Sequence, residues 1–154
     1  MTGIRDVWLR AHHMIRSARQ IINESLRPLN LSSSEGNILL HLLTQGDEMG
    51  QEQLVEELDV SKPAISRALN SLEAKGFVIR RQDPSDRRAY RVRLTGRARE
   101  IGPAVEQAYE QLYLLAMHGI SREELDCFVN LFGRMSENLR RAQAKKELEG
   151  IDAA

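Results

Sequence analysis

Two short stretches of this chain carry side chains suited to reading or clamping a polyanion. In the first, Ser61, Lys62, Pro63, Ser66, Arg67 and Asn70 fall within ten residues. An arginine can bond guanine O6 and N7 in bidentate fashion, an asparagine can do the same with adenine, and lysine or serine can hold phosphate or a base edge. The second is Asp83-Pro84-Ser85-Asp86-Arg87-Arg88, a strong turn signal followed by two adjacent arginines. Such a pair on a hairpin tip can enter a minor groove, where the negative potential is deepest over narrow A·T tracts, and Asp86 is placed to orient one guanidinium.

The charge pattern supports a polyanionic partner although the whole chain is neutral, with 22 basic and 22 acidic residues. Ser61 to Arg99 holds eleven basic residues against three acidic ones, Glu73, Asp83 and Asp86, a local charge of +8. The preceding window, Thr44 to Val60, has six acidic residues and no basic one. Phosphate neutralisation supplies most non-specific affinity for nucleic acid, so this asymmetry predicts double-stranded DNA as a partner.

Positioning these residues requires a definite order of elements. Ile4, Trp8, Ala11, Ile15, Ala18 and Ile22 form one stripe of a long helix that ends at Arg27-Pro28. Ser32 and Glu35 make a capping box for a second helix, closed by Gly46. Gln51 to Leu58 reads as a short third helix. Ser61 then caps a fourth, with Pro63 in its first turn, Ala64, Ile65, Ala68, Leu69 and Leu72 inward, and Gly76 as its left-handed terminator. The period next changes to two: Phe77-Val78-Ile79 is one strand, and Tyr90, Val92 and Leu94 alternate with Arg91 and Arg93 in another. A helix-turn-helix followed by a hairpin is a winged helix. Two further helices follow, broken at His118-Gly119, with Ser121 and Glu124 as another capping box and Leu125, Phe128, Phe132, Met135 and Leu139 as a heptad-like stripe.

The expected fold is mainly α with a small β-hairpin wing. Residues 1–30 are assigned to an N-terminal dimerisation helix, 31–95 to the winged module (recognition helix about 61–75, wing about 77–94) and 96–148 to C-terminal dimerisation helices. The long apolar stripes exceed what the winged module can cover, so a homodimer is expected.

The stretches Val60-Ser61-Lys62-Pro63-Ala64-Ile65-Ser66-Arg67, Leu72-Glu73-Ala74-Lys75-Gly76-Phe77-Val78, Asp83-Pro84-Ser85-Asp86-Arg87-Arg88 and Val92-Arg93-Leu94-Thr95 resemble the multiple-antibiotic-resistance regulator (MarR) family. The resemblance runs over essentially the whole chain. It implies a homodimer, triangular in outline, whose terminal helices form the interface and whose winged modules bind a pseudo-palindromic operator. It also implies that Asp86 and Arg88 work together, the arginine entering the minor groove, and that the protein represses transcription until an effector releases it.

Family members sense small aromatic acids, oxidants or metals. The only cysteine, Cys127, falls between stripe residues of the last helix, away from the N-terminal position of peroxide-sensing members. Glu24 and His41 have no His-x-x-x-His pair to complete a zinc site, so no metal is expected. A small-molecule effector remains, and Trp8, His12 and Arg16, at spacings of four, with His41, are the candidate lining: a stacking surface, a titratable ring and a carboxylate-binding cation.

No Gly-rich phosphate loop, nucleophile elbow or metal-spaced histidine–carboxylate set occurs, so neither an enzyme nor a cofactor is expected. No stretch approaches the ~18 apolar residues that span a bilayer, and the N-terminal residues hold no signal-peptide run, which predicts a cytoplasmic protein without a membrane partner. The rival function is a winged-helix module that docks protein and never touches DNA; four arginines at Arg87, Arg88, Arg91 and Arg93 oppose it.

Overall fold

The computed structural model describes residues 3–152. In order these form α1 (Ile4–Leu26), a 3₁₀ turn (Arg27–Leu29), α2 (Ser33–Gln45), β1 (Glu48–Gly50), α3 (Gln51–Leu58), α4 (Lys62–Ala74), β2 (Val78–Asp83), β3 (Asp86–Leu94), α5 (Gly96–Ala116) and α6 (Arg122–Asp152). Two compact units divide the chain, residues 1–113 and 114–154. Mainly helical with a small antiparallel sheet, this is the winged-helix architecture expected from the sequence.

The first unit is built around α4. Its Ile65, Ala68, Leu69 and Leu72 belong to one buried cluster with Ile38, Leu39 and Leu42 of α2 and Leu54 of α3. Phe77, Val78, Val92 and Leu94 supply the sheet's share, and Val105 and Tyr109 that of α5. From α1 only Ile22 and Leu26 are buried. Gly36 sits where α1, α2 and α5 crowd together: a Cβ there would collide with Leu26 Cδ1 and lie 3.1 Å from Tyr109 Oη, so no larger residue fits without a shift.

Local signals account for the boundaries. Ser32 and Glu35 form the complete capping box, and Gly76 takes φ +80° just after α4. Thr95 joins three elements: its hydroxyl donates to Gly76 O (2.7 Å) and accepts the Ala98 N–H that opens α5 (3.2 Å). In the second unit Ser121 and Glu124 cap α6 reciprocally.

The sheet has one strand more than the hairpin expected. β1 pairs antiparallel with β3, Met49 opposite Val92, giving the order β1-β3-β2. Three residues are too few to show alternation, but Met49 is buried and Glu48 reaches Arg91. Tyr90, expected inward with Val92 and Leu94, is 43% exposed because the hairpin extends past the helices that cover its root.

The buried charge in this unit is Glu35. Its carboxylate accepts the Ser32 N–H (2.8 Å) and Lys75 Nζ (2.9 and 3.0 Å), and Lys75 also donates to Asn30 O (2.7 Å). Burial alone would raise its pKa, but hydrogen bonds from Ser71, the Ser32 amide and Lys75 outweigh that and hold it below its ordinary 4.5. The start of α2 is thereby tied to the end of α4. A carboxylate with a lowered folded-state pKa contributes stability above its unfolded value and loses it as pH falls through the folded one. Glu35→Gln should therefore cost about 1.5–3 kcal/mol at neutral pH, the range for hydrogen bonds to charged groups. The difference in Tm between wild type and variant should shrink in a melting series taken below pH ~4.5; a constant difference would contradict the linkage.

Candidate nucleic-acid interface

α4 starts where its sequence says it should. Asp59, at φ 50°, turns the chain after α3; the Ser61 hydroxyl accepts the Ala64 N–H (3.4 Å), and Pro63 occupies the first turn. Because Ile65, Leu69 and Leu72 face the core, the helical repeat sends Lys62, Arg67 and Asn70 outward, all three exposed, with Ser61 and Pro63 exposed at the N-terminus and Ser66 half-buried.

The hairpin tip is shaped by two aspartates. Asp83 Oδ1 accepts the Ser85 N–H (2.9 Å) and hydroxyl (2.6 Å), and these bonds, then Arg91, keep its pKa below the ordinary carboxylate value. Asp86 Oδ1 accepts the backbone N–H of Arg88 (2.9 Å). Asp86 thus sets the course of the chain at Arg88, and its partner is the amide of that arginine, not the guanidinium expected from the sequence. Both arginine side chains are exposed.

Ion pairing divides the eleven cations of residues 61–99 into two groups. Lys62 pairs with Glu52, Lys75 with Glu35, Arg80 with Glu73 (3.3 Å), Arg91 with Glu48 (2.8 Å) and Arg99 with Asp47 (2.6 Å). Three of those carboxylates, Glu52, Glu48 and Asp47, come from the acidic window 44–60. Among the described residues no carboxylate pairs with Arg67, Arg81, Arg87, Arg88, Arg93 or Arg97, and the guanidinium of Arg97 lies over the Phe77 ring at 5.2 Å. The pairing spares Arg67 on α4 and both arginines at the hairpin tip.

Asn70 has a partner that the sequence did not single out. Its Oδ1 accepts Arg80 Nη2, and Arg80 also donates its backbone N–H to Glu73 Oε2 (3.1 Å), so the helix is pinned to β2. The i,i+3 spacing of Asn70 and Glu73 was visible in the sequence, but nothing local marked Arg80 as the arginine they share.

The four candidate effector residues are not brought together. His41 Nε2 lies 2.6 Å from Glu57 Oε2 on α3, and Gln53 holds the same carboxylate at 2.7 Å; these bonds, Gln53's first, lower the Glu57 pKa. Trp8, His12 and Arg16 are exposed, since α1 buries only its C-terminal end. An apolar cavity of about 540 Å³ does open between α1, α2, α4 and α5, lined among others by Ile15, Arg19, Ile38, Ile65, Tyr109 and Leu112, and none of the four reaches it. Among the described residues no group of three His, Cys, Asp or Glu could hold a metal, and no helix is long and apolar enough to cross a membrane. Cys127 is exposed on α6.

Comparison with known proteins gives concordant results. A MarR family model matches residues 29–89. A solved MarR structure is 30% identical, with a TM-score of 0.68, over 86% of this chain and 89% of that one. A mutant MarR from E. coli complexed with operator DNA is 22% identical (TM-score 0.76; 87% and 96% covered). The organohalide-sensing RdhR regulator in its 2,4-dichlorophenol-bound form is 20% identical (TM-score 0.77; 87% and 79% covered). The last two likenesses are of fold.

The Asn70–Arg80 bond predicts a structural share for Asn70. Asn70→Ala should lower stability by about 0.5–1.5 kcal/mol, the range for a net hydrogen bond, and Arg80→Ala should add less than its own single effect when combined with it. Additive losses of Tm in the double variant would remove the coupling.

Proposed function

The chain belongs to the MarR family of transcriptional regulators, and from that premise we propose that it binds double-stranded DNA as a homodimer, α4 in the major groove and the 83–88 tip in the minor groove. The observation that carries this reading is the position of the unpaired arginines: Arg67 on the outward side of α4, and Arg87 and Arg88 at the tip. A helix of this kind presents its N-terminal residues to base edges. Arg67 is the reader of guanine; Ser61, Lys62 and Ser66 hold phosphate at the helix start, Lys62 exchanging Glu52 for it, and Pro63 keeps that first turn rigid. Asn70 reads adenine only by giving up Arg80, so its share in discrimination is the smaller. Arg88, its backbone fixed by Asp86, is the minor-groove clamp.

Dimerisation is supported by apolar side chains left in solvent. α1 exposes Ile4, Trp8, Leu9 and Met14, and residues 114–139 expose Leu114, Leu115, Phe128, Val129 and Leu131. Large apolar side chains exposed in this number mark an interaction site, and a second copy is the usual partner. In this reading residues 1–30 and 96–148 serve the interface and 31–95 the DNA.

The protein acts as a repressor released by a small aromatic acid. The 540 Å³ cavity, walled mostly by apolar side chains with Ser33, Ser34 and Asn37 as polar groups and Arg19 as its cation, is of the size and chemistry that hold such a ligand. It is bounded by Ala64, Ile65 and Ala68 on the inner side of α4, so an occupant displaces the reading helix. A fold relative bound to a dichlorophenol supports the same class of ligand.

Selection of bound sites from random duplexes tests the proposal. The recovered sites should be inverted repeats whose half-sites lie about 10–10.5 base pairs apart, or a multiple of that, as two symmetric modules require. Arg88→Ala should weaken binding most where the flanks are A·T-rich, and Arg67→Ala should cost about 1–3 kcal/mol of discrimination at one position of each half-site. Single, unpaired half-sites would contradict the dimeric mode, and an unchanged affinity of Arg88→Ala would take the tip out of the mechanism.

A further inference from the structure

A second cavity, of about 630 Å³, lies on the other flank of α4, between it, the end of α1 and the start of α2. Its polar lining includes Asn23, Arg27, Ser34, Glu35, Arg67 and Lys75. Glu35 and Lys75 neutralise each other, and the Glu35 carboxylate is engaged by the Ser32 N–H at one oxygen and by Lys75 at both. Asn23 spends its carbonyl oxygen on the Ser33 N–H (2.6 Å), which leaves its amide group as a donor. The Ser34 N–H, in the first turn of α2, is one of the amides a helix cannot partner internally. Arg27 and Arg67 have no carboxylate partner among the described residues, so the cavity carries two uncompensated positive charges. What remains unsatisfied is two guanidinium forks, a side-chain amide and a backbone N–H.

A site whose spare capacity is donors and positive charge takes an oxyanion, and planar guanidinium forks match the oxygens of a phosphate. We propose that the cavity between Arg27 and Arg67 is a phosphate-binding site. Arg67 belongs to both this cavity and the reading side of α4. A phosphate of the duplex backbone seated here is held by Arg27, the Asn23 amide and the Ser34 N–H while Arg67 keeps its base edge, and it fixes the register of the helix in its groove; a free phosphate takes Arg67 as well, holds it away from base edges and weakens DNA binding. The backbone source rests on the DNA-binding reading above, and the free-phosphate source does not.

Two measurements on the full chain, with wild type, Arg27→Gln and the control Arg122→Gln in α6, separate the sources. The first is thermal unfolding in sodium phosphate against sodium chloride at one ionic strength. A free-phosphate site gives wild type a saturable rise in Tm that Arg27→Gln loses. The second is binding of a random duplex across a chloride series. A backbone phosphate makes the slope of log affinity against log salt shallower by about 0.9 in Arg27→Gln. Either result, absent from Arg122→Gln, supports the site and identifies its occupant. The proposal is overturned if Arg27→Gln matches wild type in both measurements, or if Arg122→Gln changes in step with it. A wild type that gains Tm in phosphate yet binds no duplex would refute the DNA-binding reading and keep the site.

Discussion

Everything proposed for this protein depends on how α4 is seated. Its Ile65, Ala68, Leu69 and Leu72 are buried among α2, α3 and the sheet, and burying a Leu or Ile side chain is worth about 1.5–3 kcal/mol each. The helix cannot rotate without exposing that face, so its outer residues are presented in one orientation. Ties at both ends reinforce it. Ser61 caps the start, the Glu35–Lys75 pair anchors the end to α2, and Arg80 links Asn70 and Glu73 to the wing. The apolar cavity behind this helix and the cationic cavity beside it both share its wall, at Ala64 and Ala68. Any ligand in either one acts on the orientation of the same element.

Electrostatics then allocates the arginines. A chain of zero net charge gains nothing from overall attraction to DNA, and its affinity must come from a local field. The acidic residues of β1, α3 and the turn before them take up cations at the root of the sheet and at the start of α4. That pairing steadies the scaffold and leaves the hairpin tip and Arg67 to face a partner. Exposed ion pairs of this kind are individually worth little, so Lys62 can exchange Glu52 for a phosphate at small cost.

Helix ends and the wing were readable from the sequence because their signals are local. Ser32 with Glu35, Ser61 with Pro63, Gly76, and Ser121 with Glu124 each act within four residues, and each sits at a helix boundary in the structure. β1 was not readable: three residues owe their strand geometry to pairing with Arg91–Arg93, some forty positions on. The same holds for side-chain partners. That Asn70 meets Arg80, that His41 turns to Glu57 and that Arg27 shares a cavity with Arg67 are consequences of packing between elements, which periodicity along one helix does not encode. The stripe of Trp8, His12 and Arg16 was a true helical stripe, but spacing says which residues share a side and not what that side faces.

Titrating the protein with a random-sequence duplex at several salt concentrations shows whether the arginines without carboxylate partners on α4 and the hairpin tip make a DNA-binding surface. The expected result is measurable affinity that falls steeply as salt rises, in proportion to the number of phosphates neutralised. Binding that is absent, or present and indifferent to salt, would contradict it and leave a winged helix that docks protein instead.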